Sequence, residues 1–499
     1  MRIVLLLLFS MFICSCDETQ RDAVVFGLDN MPNNLDPRHA TDAVSYRINR
    51  LIYSSIVDFD ESARFVPGIA SWQLLSPTQY RFTINGEHIF HNGDRLTSED
   101  IKATYDSVLD EKQKSPHRSS VALIDEIKVI DSNTVDFILK YADPFFPGYL
   151  IIGILPKQLI DNNFDFTANP VGSGAFRYSG WGGVESLTLE RIKDGQKFDF
   201  IRVVAPEVRA MKLIRGEIDI LQNGLMPELV RYLRKQDNVK VEDFSGTDFA
   251  YIGFNMQDET LSNLKIRQAI AYSIDRDAIL KYLFGGEEKK ATAFFPADHW
   301  LGNHELIPYE YSPQKAQKIL AGLGYSKQNP LLLSYKTSTN SFRLRVAAIL
   351  QQQMKESWIN IDIQSYDWGT FYGDIKKGNF QMYSLKWVGI KSPDIFEYVF
   401  HSKSVPRDES SKEKGNNGAN RGRYNNPEVD RLIEKAKHES GLEESIAIYR
   451  KIEQLVFEDL PYVPLWYEGN FFATSNRISG YYLSPGGNFD GLINVQRKE

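Results

Sequence analysis

Apolar residues come in short runs separated by glycine, proline and asparagine, and helical periodicity appears only in isolated stretches. The run Ala23 to Leu28 (AVVFGL) is continuously apolar, which predicts a buried strand, and the turn-forming residues Asp29 to Asn34 end it. A helix is predicted from about Asp42 to Ile56. Alternation in Tyr80 to Ile84 and in Thr134 to Leu139 predicts strands with one buried face, and Val66 to Trp72 reads as strand and turn. Between them, Thr97 with Asp100 three residues on predicts a capped helix start.

A strand–helix–strand rhythm resumes near residue 170. Ala210 to Gly216 predicts a helix stopped by glycine and feeding a strand through Ile220. Phe249 to Asn255 predicts a strand, and Ile266, Ala269, Ile270 and Ile274 mark the apolar face of the helix after it. Tyr311 to Leu323, closed by Gly324, and Phe342 to Trp358 predict two more helices. Residues 403 to 426, rich in Gly, Asn, Ser and Lys, predict a long surface loop. Mixed α/β organisation follows.

The N-terminus has a different pattern. Arg2 precedes an almost wholly apolar run from Ile3 to Ile13, ended by Cys14, Ser15, Cys16 and then polar residues. Eleven helical residues rise about 17 Å, too short for a hydrocarbon core of about 30 Å, so the segment reads as a secretory signal. Cys16 with Ser15 before it also resembles the bacterial lipoprotein signal, in which that cysteine is acylated. A cleaved, freely soluble protein is the alternative. Residues 1–15 are thus assigned to the signal and 16–22 to a tether. Cys14 and Cys16 are the only cysteines, so the body has no thiol for disulfides, zinc clusters or nucleophilic catalysis.

Composition narrows the function classes. The 499 residues are 42% apolar and 25% charged, with a net charge of −7 and scattered Lys and Arg, which argues against nucleic acid as a partner. No Gly-x-Ser-x-Gly elbow and no phosphate-binding Gly-x-x-x-x-Gly-Lys-Ser/Thr loop occurs. Gly172 and Gly174 begin a dinucleotide-like loop, but Arg177 stands where its third glycine belongs. Ser312 and Lys315 match a Ser-x-x-Lys spacing, yet Ser312 followed by Pro313 is better read as a helix cap. His88 and His91 lack acidic or cysteine companions at ligand spacing, so they read as exposed loop histidines, and no metal or cofactor is expected. Glu287–Glu288 and Glu443–Glu444 read as solvated charge. Among 25 Tyr, 30 Phe and 7 Trp, the rings Tyr251, Trp387, Trp466 and Tyr467 stand at strand ends or near glycine, where rings line concave sites or simply fill the core.

Seven segments, in order, resemble the family 5 extracellular solute-binding proteins, the peptide, nickel and opine class of ABC importer receptors. They are Leu35 to Pro37, Val66 to Trp72, Phe90 to Asp100, Pro170 to Phe176, Gly216 to Asp219, Phe254–Asn255 with Ile266 to Asp275, and Tyr424 to Asp430.

The resemblance implies a bilobed α/β type II fold with an inserted subdomain. Lobe I would comprise 23–56, 170–260 and 476–499, the insert 57–169 and lobe II 261–475. It also implies a monomeric receptor, not an enzyme, that closes over a small solute, a peptide first of all, and delivers it to an ABC permease. The alternatives are a non-peptide solute (an oligosaccharide or opine-like compound) or a lipid-anchored scaffold. Met31, Pro32 and Asn33 would lie on a cleft edge, and Trp387 and Gly389 would belong to the family's tryptophan–glycine cleft strand. Where peptide receptors carry an aspartate for the peptide's ammonium, this chain has Ile390, followed by Lys391, with Asp394 as a nearby substitute. Arg421 and Arg423 would flank the cleft or be solvated loop charges. A periplasmic location, anchored at Cys16 to the inner membrane, completes the expectation.

Overall fold

Two long antiparallel strands, Val239–Phe254 and Tyr462–Ser475, form the spine of the molecule. A computed structural model describes residues 22–60, 62–285, 288–388, 390, 392–406, 418–439, 441–484 and 486–498. Cys16, Gly389, Lys391 and Glu287 lie outside them. The spine pairs Val239 to Phe244 with Asn470 to Ser475, shifts register, and pairs Asp248 to Gly253 with Tyr462 to Glu468. A bulge bends a strand and increases its twist, so this shift is where one half of the sheet gives way to the other. Gly246 is required there, because a Cβ would lie 1.9 Å from the Glu468 carbonyl oxygen.

On one side of the bulge, Ile220–Gln222 pairs with the spine, Val24–Leu28 runs parallel to it and to Lys197–Arg202, and two antiparallel strands complete the edge. Val24 to Leu28 is buried throughout, as its unbroken apolar run requires. The C-terminal segment closes this lobe: Arg191 donates from one nitrogen to the carbonyls of Leu492, Ile493 and Val495 at 2.8–3.0 Å. On the other side, Met382–Trp387 pairs with the spine. Leu331–Ser338 and Ile359–Tyr366 run parallel, joined by helix Ser341–Glu356. The crossing between halves therefore falls inside residues 244–248 and 468–470.

Residues 56–154 build a third core around an antiparallel sheet of Ala70–Ser76, Gln79–Ile84, Thr134–Leu139 and Ile124–Asp131, with helix Ser98–Leu109 packed on it. Asp100 accepts the Thr97 N–H at 2.8 Å, closing the predicted cap, and takes the Lys157 N–H on its other oxygen.

Some boundaries move. The helix predicted over 42–56 ends at Ile52, where its terminal carbonyls meet a close-packed neighbour: a Cβ on Gly172 or Gly174 would lie 2.1 or 2.4 Å from the Ile52 or Leu51 oxygen. The 403–426 surface loop is corrected in its described part, since Ala419, Asn420, Arg421 and Tyr424 are buried. His91 likewise is half-buried, its Nε2 3.0 Å from the Gly174 oxygen. Ser312 caps helix Pro313–Ala321, its Oγ accepting the Lys315 N–H at 3.4 Å.

Candidate interlobe cleft

Two cavities adjoin: one of about 980 Å³ between the first half of the sheet and the subdomain, and one of about 450 Å³ between the two halves. Helix Ala43–Ile52 and the C-terminal segment wall them on one side; the bulge, residues 289–299, Val388 and Ile390 wall the smaller one on the other. Asp42 starts that helix by accepting the Ser45 N–H at 2.8 Å, and Arg47 and Arg50, three residues apart and so on one face, both line the smaller cavity.

Arg50 is fully engaged. It makes paired hydrogen bonds to Asp58 at 2.9 and 3.1 Å and reaches Asp490 at 3.0 Å, joining the helix, the subdomain and the C-terminal segment. Lys289 pairs with Asp298 at 2.7 Å, and Lys386 with Asp248 and Glu468 at 3.3 and 2.5 Å. Asp60 is exposed, with Oδ1 accepting the Ser62 and Arg64 N–H groups.

His299 stacks on Phe295 with ring centroids 4.8 Å apart and is only 7% exposed. Its Nδ1 accepts the Leu301 N–H at 3.2 Å. Burial pushes the imidazole down to about 4, so at neutral pH it is uncharged with its proton on Nε2.

Of the residues singled out in the sequence, Ile390 lines the smaller cavity and is otherwise buried against the second lobe's core. Met31 is half-buried, Pro32 buried and Asn33 exposed, and none of the three lines either cavity. Tyr251 is buried in a tyrosine cluster, 4.2 Å from the Tyr462 ring and 5.9 Å from Tyr383. Trp466 is core, and Tyr467 donates its hydroxyl to the Ala293 carbonyl. Arg421 is buried with its guanidinium 4.6 Å from the centroid of Trp387 and 5.4 Å from that of Tyr372, whose hydroxyl accepts its N–H. Arg421, Trp387 and Tyr372 line neither cavity. Asp394 precedes helix Ile395–Phe400, accepts the Ser392 hydroxyl and lines neither cavity.

Arg47, Asp58, Asp60, His299 and Asp490 were not singled out in the sequence. The i, i+3 pair of arginines on a predicted helix was the available signal for the first. Nothing local pointed to the others, which converge from three distant segments. Among the described residues no three His, Cys, Asp or Glu groups come together as a metal site.

The model of the bacterial extracellular solute-binding proteins, family 5 Middle, matches residues 64–406. The oligopeptide-binding protein AppA of Bacillus subtilis is 25% identical, over 93% of this chain and 89% of its own length. Di/tripeptide-binding protein 2 of Pseudomonas aeruginosa is 23% identical, over 96% of each. Among solved structures, the ABC transporter substrate-binding protein CtaP of Listeria monocytogenes superposes with a TM-score of 0.85 at 23% identity, covering 96% of this chain and 99% of its own. NikZ of Campylobacter jejuni, solved with Ni(L-His), gives 0.76 at 22% identity, covering 95% and 99%.

Proposed function

The chain belongs to family 5 of the bacterial extracellular solute-binding proteins, and from that premise we propose that it is the receptor of an ABC importer, taking up a peptide or peptide-like solute in the cleft and presenting it to the permease. One observation carries this reading: residues from both halves of the spine line the same cavity, so a solute filling it contacts both lobes at once and favours their closure. The relatives named for oligopeptides and di- or tripeptides support a peptide cargo. The same reading makes the protein a binder rather than an enzyme and places residues 57–169 as an insert in lobe I. It also places an acyl anchor at Cys16, which keeps a monomeric receptor on the outer face of the inner membrane.

Apolar Ile390 on the cavity wall favours a second reading. A ligand ammonium seated against it, out of reach of the carboxylates elsewhere in the cavity wall, would cost several kcal/mol. A solute whose amine is blocked, or an opine-like compound with no free ammonium, meets no such cost. Incubating the purified protein with a mixed peptide library and identifying retained species by mass spectrometry tests both. Retention of free-amine peptides sinks the second reading, and no retained peptide with an unchanged melting temperature sinks the first.

A further inference from the structure

Away from both cavities, the turn at residues 141–145 brings the subdomain down on the second lobe. Tyr141 meets the His438 ring edge-on at 5.5 Å. Four residues on, Phe145 is 4% exposed and packs into the second lobe's core, its centroid 6.0 Å from Trp300 and 5.9 Å from Tyr449. Asp143 stands between these two anchors, so seating them carries its carboxylate against the second lobe. Its Oδ1 accepts the Phe145 N–H at 2.8 Å, and its Oδ2 lies 3.2 Å from the Tyr149 hydroxyl. Neither partner cancels its charge.

The groups that face it from the second lobe add to the cost of that charge. Asp394, which precedes helix Ile395–Phe400, acts on Asp143 and on both tyrosines beside it, Tyr149 and Tyr449. Glu397 and Glu434 also act on Tyr449. The facing cation, Lys437, is already paired with Glu397 at 2.8 Å, and Lys403 serves Glu397 and Glu434. Burial, reinforced by Asp394, outweighs the Phe145 N–H, Tyr149 and Lys437 and pushes the Asp143 carboxyl up to about 6.

We propose that Asp143 is a proton-operated latch between the subdomain and the second lobe: protonated, it lets the 141–145 turn seat, and ionised, it favours the open form. Opening returns Asp143 to water and to the ordinary carboxylate range. The closed form therefore binds a proton that the open form has released. Its advantage is full below about pH 4, shrinks about tenfold per unit between about pH 4 and 6, and is gone above that. Acidification then works in the same direction as a solute that closes the lobes. The proposal rests on the receptor reading only in taking this contact as one that closure makes.

Small-angle scattering of the purified, solute-free protein from pH 5 to 8 tests this without any ligand, so a failed peptide assay leaves the test intact. The radius of gyration of wild type should fall as pH drops through about 6, whereas acid unfolding would raise it. Asp143→Asn, neutral at every pH and still able to accept the Phe145 N–H, should be as compact at pH 8 as wild type is at pH 5. Asp394→Asn should move the wild-type transition to lower pH without removing it. The series is repeated in Trp300→Ala, whose loosened contact brings the equilibrium into range where wild type is nearly all closed. A radius that ignores pH in both backgrounds overturns the latch. So does an Asp143→Asn variant that keeps the wild-type transition or is expanded at every pH. Glu288, which accepts the Gly469 N–H at the bulge, is the control: a transition lost in Glu288→Gln but kept in Asp143→Asn places the sensor at the hinge and overturns the proposal.

Discussion

Trp300 donates its indole N–H to the carbonyl of Ala63 at 3.1 Å, tying the segment that carries His299 to the turn between strands Val57–Phe59 and Phe65–Pro67. The Trp300 ring meets Phe65 edge-on at 5.8 Å and Phe145 at 6.0 Å, while Arg64 lies over its face. This contact joins the subdomain to the second lobe across one end of the cleft.

Replacing Trp300 with alanine removes both the ring contacts and the hydrogen bond, and should cost about 2–4 kcal/mol of that closed arrangement. Small-angle scattering is expected to show a larger radius of gyration. Trp300→Phe keeps most ring contact and should lose only about 1 kcal/mol. An unchanged radius in Trp300→Ala would show that the tie does not hold the lobes together.

Glu453 sits in the middle of helix Leu442–Asp459, 2% exposed, with one oxygen accepting the Phe295 N–H at 3.2 Å and the other unpartnered. Burial pushes its carboxyl up to about 8, so the folded protein carries it as a neutral acid at pH 7. The unfolded chain ionises near 4.3, so between about pH 4.3 and 8 the unfolded state binds fewer protons, and stability falls as pH rises. Glu453→Gln should remove that slope, raising stability at pH 8 by a few kcal/mol and changing it little at pH 4. Urea unfolding of both proteins across this range checks it; parallel curves would place the charge elsewhere.

Gly174 donates its N–H to the Ile52 carbonyl at 2.8 Å, at the end of the helix that carries Arg47 and Arg50. A methyl group there meets the Leu51 oxygen at 2.4 Å, a backbone clash that side-chain rotation cannot relieve. Gly174→Ala should destabilise by about 1–3 kcal/mol and, by displacing the helix, weaken solute binding as well. Thermal unfolding and titration of one preparation measure both effects.

Cys16, outside the described residues, carries the proposed anchor. Cys16→Ser expressed in a bacterium with lipoprotein processing should move the protein from the membrane to the soluble fraction, since firm attachment needs acyl chains. Persistence in the membrane fraction rules the anchor out.

The segments that resemble the family turn out to hold the fold. Asp36 is buried in an ion pair with Arg38 at 2.6 Å, and Asp219 accepts the Val25 N–H and pairs with Arg477. Arg267 donates to the carbonyls of Leu261, Ser262, Asp459 and Leu460, and the Tyr424 hydroxyl meets Asp459 at 2.6 Å. Most of these contacts span 35 to 258 residues, so the family segments mark junctions of the scaffold rather than local turns.

Strand Thr134–Leu139, the cap at Thr97 and the buried run Val24–Leu28 were legible, since periodicity and capping are properties of short stretches. Tyr251, by contrast, reads equally as cleft wall or as core until Tyr462, 211 positions later, is seen stacked on it. The cleft was not legible for the same reason. Arg50 is bound to Asp490, 440 residues away, while Arg47, one turn earlier on the same helix, lines the smaller cavity. Charge compensation is settled by distance in space. The sequence by itself determined the family and its scaffold; only the tertiary structure decided which distant side chains share the cleft, because charge pairing depends on separation in space.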